Sequence, residues 1–75
     1  MSKLMVKDAD YLQSSIAIKG FNLILFSQEI GVTSQYLSMI LRGKRNPSPI
    51  LAKKIADKLG LEVREIFFVD DVRKT

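Results

Sequence analysis

Ile30-Gly31-Val32-Thr33-Ser34-Gln35-Tyr36-Leu37-Ser38 is the stretch whose reading decides the fold of this chain. Gly31 sits where a helix should stop, because glycine tolerates the left-handed backbone just past a helix C-terminus. Thr33, two residues on, is a good N-cap for the next helix. Upstream, Leu23 to Ile30 has helical length, with Asn22 as its N-cap. Its apolar residues (Leu23, Ile24, Leu25, Phe26 and Ile30) nearly surround it, which predicts a helix buried in the middle of a small bundle. Downstream, the helix from Thr33 ends before Gly43. Leu37, Ile40 and Leu41 form its apolar stripe, while Ser34, Gln35, Ser38, Met39 and Arg42 occupy the opposite face. That outward face is almost uncharged, which is unusual for a helix turned toward water.

The same punctuation divides the rest of the chain. The glycines at 20, 31, 43 and 60 separate four segments of helical length. The first runs from Asp8 to Lys19, capped by Asp8 or Asp10, with Leu12, Ile16 and Lys19 at helical spacing. The fourth has Ser48 as cap and Pro49 at its first position, where the missing N–H costs nothing. Ile50, Leu51, Ile55 and Leu59 are expected on its core side and Lys53, Lys54, Asp57 and Lys58 outside. Leu61 to Phe67 reads as a last short helix. The expectation is an all-α bundle of five helices forming a single domain over 1–75, with its core at about 8–67. At this length a separate sensor or oligomerisation domain is not expected.

Composition bounds the function. The chain is 47% hydrophobic and 27% charged, a globular balance. It has no Cys and no His, which removes thiol chemistry, disulfides, Cys/His zinc sites and His-based triads together. The carboxylates are scattered, and Asp70-Asp71, the one close pair, makes a poor metal site. Neither an enzyme nor a cofactor is expected. The most apolar stretch, Ile16 to Ile30, is interrupted by Lys19, Gly20, Asn22, Gln28 and Glu29, so no membrane span is predicted. No signal-peptide core precedes the first helix, and a soluble cytoplasmic protein is expected.

Twelve Lys/Arg against eight Asp/Glu leave a net charge of +4. Six of the basic residues (Arg42, Lys44, Arg45, Lys53, Lys54 and Lys58) fall between 42 and 58 beside one acid, Asp57. That stretch alone therefore carries +5, and everything else sums to −1. Two helices joined by the tight Gly31-Val32 link make a helix-turn-helix unit. Clustered cations beside an uncharged helix face fit phosphate contacts around a base-reading surface.

Ile30 to Ser38, Arg42-Gly43-Lys44-Arg45-Asn46-Pro47-Ser48, Ile55 to Leu61 and Ile66-Phe67 together resemble the Cro/cI-type (XRE family) helix-turn-helix of phage repressors and related regulators. The resemblance spans roughly residues 10 to 67 and implies a five-helix lambda-repressor-like DNA-binding bundle. It further implies that the third helix enters the major groove of double-stranded DNA, with Thr33, Ser34, Gln35, Ser38 and Met39 facing bases. Gln can pair with adenine N6/N7, and Met or the Thr methyl can pack on a thymine methyl. Tyr36, Arg42, Lys44 and Arg45 are implied phosphate contacts. Many members carry Gln at the first residue of the second helix, touching phosphate. Here that residue is Leu23, so the contact is either lost or supplied by Asn22 and the helix amides. Members also pair an Arg with a Glu at positions held here by Ile16 and Leu41, an exchange that is often neutral when both partners change.

The resemblance implies a transcriptional regulator, a repressor or Cro-like switch protein acting by operator occupancy. A homodimer on a palindromic operator is expected, because one module this size buries little DNA surface. Other readings stand beside these. Met39 also suits a solvent-facing or dimer-facing position, and Lys53/Lys54 read as a solvated helix face. Leu4-Met5-Val6, Phe68-Val69 and Val72 serve either subunit pairing or covering of the core. Small helix-turn-helix proteins also act as antitoxins or as modulators of a partner repressor, so a protein partner is the alternative to DNA.

Overall fold

Five capped helices and two strands make up residues 2–71, the part of the chain that the computed structural model describes. The order is β1 (Ser2–Val6), α1 (Ala9–Ile18), α2 (Leu23–Ile30), α3 (Ser34–Leu41), α4 (Pro49–Leu59), α5 (Val63–Ile66) and β2 (Phe67–Asp71). Each of the first four helices begins on a side chain that accepts a backbone N–H. Asp8 accepts from Asp10 and Tyr11, Asn22 from Leu25, Thr33 from Tyr36, and Ser48 from Leu51. Such caps satisfy otherwise orphaned amides and are worth about 1 kcal/mol each. At α5 the Glu65 carboxylate accepts the Glu62 N–H at 2.8 Å.

The all-α expectation is corrected by the ends of the described chain. β1 and β2 pair antiparallel, with Lys3 opposite Asp70, Leu4 opposite Val69, Met5 opposite Phe68 and Val6 opposite Phe67. The last helix is accordingly shorter than the span 61–67 expected for it: it stops at Ile66, and Phe67 already has extended backbone. Lys7 anchors this junction twice, its N–H donating to Ile66 O and its Nζ to Arg64 O, both at 2.9 Å. Pairing of opposite charges and of apolar partners across a strand pair is stabilising, which explains why these short segments sit together.

The core draws on every helix: Leu12 and Ile16 from α1, Phe26 and Ile30 from α2, Leu37, Ile40 and Leu41 from α3, Ala52, Ile55, Ala56 and Leu59 from α4, and Ile66 from α5. Phe67 of β2 is buried with them, and Leu4 and Val6 of β1 pack against the cluster. Phe21 meets Phe26 edge to face at 5.4 Å between ring centroids, a favoured aromatic geometry. Ile16 and Leu41, the positions where the resemblance carries an ion pair, are both buried in this apolar cluster.

Two core assignments are also corrected. α2 is buried on one side only: Phe26, Ser27 and Ile30 face inward, while Ile24 and Leu25 are exposed. The cause is helical period, since positions 23, 26, 27 and 30 share a face and place the small Ser27 inside. Its hydroxyl is satisfied locally, donating to Ile24 O at 2.7 Å. On α4 the inward set is 52, 55, 56 and 59, so two alanines pack inside and Ile50 is left 80% exposed. Alanine there lets the helix approach closely.

Candidate nucleic-acid interface

α2 and α3 meet at the tight link Gly31-Val32. The Val32 N–H donates to Ser27 O at 2.9 Å, which closes α2, and Thr33 Oγ1 accepts the Tyr36 N–H at 3.0 Å, which opens α3. Leu37, Ile40 and Leu41 fix the rotation of α3 by burying its inner stripe. Tyr36 also packs against the core, and the remaining side chains face away from it. Ser34, Gln35, Ser38, Met39 and Arg42 line an open groove together with Leu23 and Ile24 from the start of α2. Gln35 and Arg42 are exposed, whereas Ser34, Ser38 and Met39 are half-buried. Four of the five expected base-facing residues are thus gathered on one surface. Thr33 is exposed but lies outside that lining, its hydroxyl oxygen committed to the cap.

The basic turn after α3 has a defined shape. Gly43 takes φ +75°, its N–H donates to Ile40 O at 3.0 Å, and the Lys44 N–H donates to Met39 O at 2.9 Å. These two bonds satisfy the last carbonyls of α3 and redirect the chain. The Arg45 N–H also reaches Met39 O, at 3.3 Å. The far end of the turn is tied to the sheet, because Asn46 Nδ2 donates to Leu4 O at 3.1 Å and lies 2.8 Å from Met5 Sδ. Pro47 is buried behind it. The strand β1, which the sequence reading did not identify, therefore braces the loop that carries Lys44 and Arg45.

Electrostatically the turn is unneutralised. The ion pairs among the described residues are Lys53–Asp57, Lys58–Glu29 and Arg64–Glu62, and none involves Arg42, Lys44 or Arg45. All three of these side chains are exposed. Lys53 and Lys58, by contrast, spend their charge within the protein, in line with a solvated face for that part of α4. Arg45 stacks its guanidinium over the half-buried Tyr36 ring, 5.9 Å from the centroid, an attractive cation–π placement. Two expected phosphate contacts are thereby held as a unit. Asn22 is placed differently: its Oδ1 accepts the Leu25 N–H at 2.8 Å, and it lines the neighbouring groove between α1 and α2.

The residues that sequence reasoning did not assign to this surface are Leu23 and Ile24. Leu23 figured as an apolar residue of a buried α2 and as the place of a missing glutamine, and Ile24 as an apolar residue of the same buried helix. The available signal was the same period that turns Ser27 inward, since it leaves position 24 on the outside of α2.

Residues 19–66 match the family described as Helix-turn-helix. A relative, the Uncharacterized HTH-type transcriptional regulator YvzC of Bacillus subtilis (strain 168), is 29% identical over 66 residues, covering 88% of this chain and 86% of the relative. No solved structure matches the chain. With the two short helices, their tight link and the exposed outer face of α3 in place, the chain belongs to the XRE-type helix-turn-helix family, whose domains bind double-stranded DNA.

Proposed function

We propose that this protein is a DNA-binding transcription regulator that reads a specific duplex sequence with the outer face of α3 and acts by occupying an operator. The observation that carries this reading is the groove lined by Ser34, Gln35, Ser38, Met39 and Arg42, flanked by Lys44 and Arg45 with no carboxylate partner among the described residues. An uncharged, hydrogen-bonding helix face set beside free cations is what base recognition needs, because phosphate contacts orient the protein and base-edge contacts discriminate. Gln35 offers a donor and an acceptor to adenine, and Ser34 and Ser38 are small polar groups that let the helix approach. Tyr36, Arg42, Lys44 and Arg45 grip phosphates on either side, with the remaining amide hydrogens of Asn22 reaching the backbone from the start of α2. A cytoplasmic, non-enzymatic, single-domain repressor or Cro-like switch protein fits this chemistry, and no helix among the described residues is long and apolar enough to cross a membrane.

Two copies on a palindrome are part of the proposal. The two-stranded sheet has no strand neighbour at either outer edge, Asn46 occupies Leu4 O on the β1 edge, and Phe68 and Val69 are exposed on β2. Leu4 and Val6 instead cover the core of their own subunit, and Val72 lies outside the described residues. Selection of bound duplexes from a random pool tests function and symmetry together. A palindrome with half-sites about one helical turn apart is the expected result. Recovery of no preferred sequence, alongside a tight protein partner, would overturn DNA reading in favour of an antitoxin-like or repressor-modulating role.

A further inference from the structure

We infer that Ile24 is a specificity-determining residue that reads the C5-methyl group of a thymine at the edge of each half-site. The inference rests on the DNA-reading function proposed above and adds to it a residue from α2, outside the reading helix.

Ile24 is 58% exposed, so its side chain does not serve the core. Other large apolar residues are also exposed, including Ile18 on α1 and Ile50 on α4, and exposure alone distinguishes none of them. Position does. Ile24 lines the same groove as Ser34, Gln35, Ser38, Met39 and Arg42, whereas Ile18 and Ile50 are not part of that lining. The half-buried Leu23 stands beside it on that wall. The site therefore has one hydrogen-bonding wall, on α3, and one hydrocarbon wall, at the start of α2.

The chemistry selects what the hydrocarbon wall meets. A branched alkyl side chain neither donates nor accepts a hydrogen bond and gains nothing from a phosphate. In the major groove, the apolar group a base edge displays is the C5-methyl of thymine. Burying one methyl-sized group against hydrocarbon is worth about a fourfold change in affinity. The contact is made only when thymine occupies the position that Ile24 reaches, so it discriminates among sequences.

Replacing thymine by uracil removes that methyl and leaves the pairing and hydrogen-bonding edges intact. Duplexes from the selection are therefore substituted one thymine at a time, and dissociation constants are measured by fluorescence anisotropy at fixed salt. Wild-type protein should bind about fourfold more weakly to uracil at one thymine per half-site. Ile24→Ala should bind the thymine and uracil duplexes alike at that position, whereas Met39→Ala should keep the wild-type preference there. Ile24→Val, checked with Ile24→Ala for helical circular dichroism, should fall between. If Ile24→Ala retains the full thymine preference at every position while Gln35→Ala still loses operator binding, the assignment of Ile24 is wrong and DNA reading stands. A selected site with no thymine, or one insensitive to uracil throughout, overturns the assignment in the same way. If no preferred duplex is recovered, both readings fall together.

Discussion

Gly43 is the hinge between the proposed reading helix and its phosphate-binding turn, and replacing it tests whether the turn's shape matters. At φ +75° a side chain is disfavoured, yet a Cβ built there would meet nothing within 4 Å. The cost of Gly43→Ala is then conformational alone. A left-handed residue with a Cβ costs about 1–2 kcal/mol, partly offset because alanine also restricts the unfolded chain. A net loss of about 1 kcal/mol lowers the melting temperature of a domain this size by roughly 4–8 °C. Gly43→Asn should lose less, since asparagine tolerates this conformation better. Gly20→Ala is the control: φ is +87°, again with no atom within 4 Å, and Gly20 lies outside the proposed interface. Thermal unfolding followed by circular dichroism should show similar losses for the two alanine variants. Duplex binding well below the transition should weaken only for Gly43→Ala, and alike on every sequence, because Lys44 and Arg45 shift while α3 does not. Wild-type stability of Gly43→Ala would refute the left-handed turn, and equal effects of both glycines on binding would refute its role in holding the cations.

Three further substitutions probe separate parts of the account. Phe26 is fully buried against Phe21 and the central core, so Phe26→Ala should cost about 3–5 kcal/mol, enough to leave a domain this small largely unfolded by circular dichroism at 25 °C. Asn46→Ala removes the bond to Leu4 O and should cost about 1 kcal/mol in urea unfolding while also weakening duplex binding, because the braced turn loosens. Arg45→Ala should weaken all duplexes alike and reduce the slope of log K against log salt by roughly 1, with no change in the preferred sequence.

The helices were legible because their boundaries are written in local chemistry. Asn22, Thr33 and Ser48 are caps in the sequence and caps in the structure, Asp8 caps α1 where the sequence left Asp8 or Asp10 open, and the glycines after α2, α3 and α4 take left-handed conformations as their positions imply. The sheet was not legible. Its strands are five residues each, lie some sixty residues apart, and are held by pairing that no local pattern announces. The sidedness of α2 and α4 was misjudged where residue size was weighed above period. Ser27, Ala52 and Ala56 pack inside while Ile24 and Ile50 stay out, because close helix approach favours small residues at the contact. For the candidate interface, the spacing along α3 was enough to gather Ser34, Gln35, Ser38, Met39 and Arg42. The hydrocarbon wall from α2 and the brace from β1 depend on tertiary contacts, so neither could be read from α3 alone.

The central claim is that the outer face of α3 reads bases while the turn after it binds phosphates. Titrating the selected duplex and a scrambled one across a series of salt concentrations, with wild-type protein and Gln35→Ala, tests it most directly. The account predicts that log K falls linearly with log salt for both proteins with the same slope. It also predicts that Gln35→Ala loses about 1–3 kcal/mol on the selected duplex and nothing on the scrambled one. Equal binding of wild-type protein and Gln35→Ala to the selected duplex would contradict it.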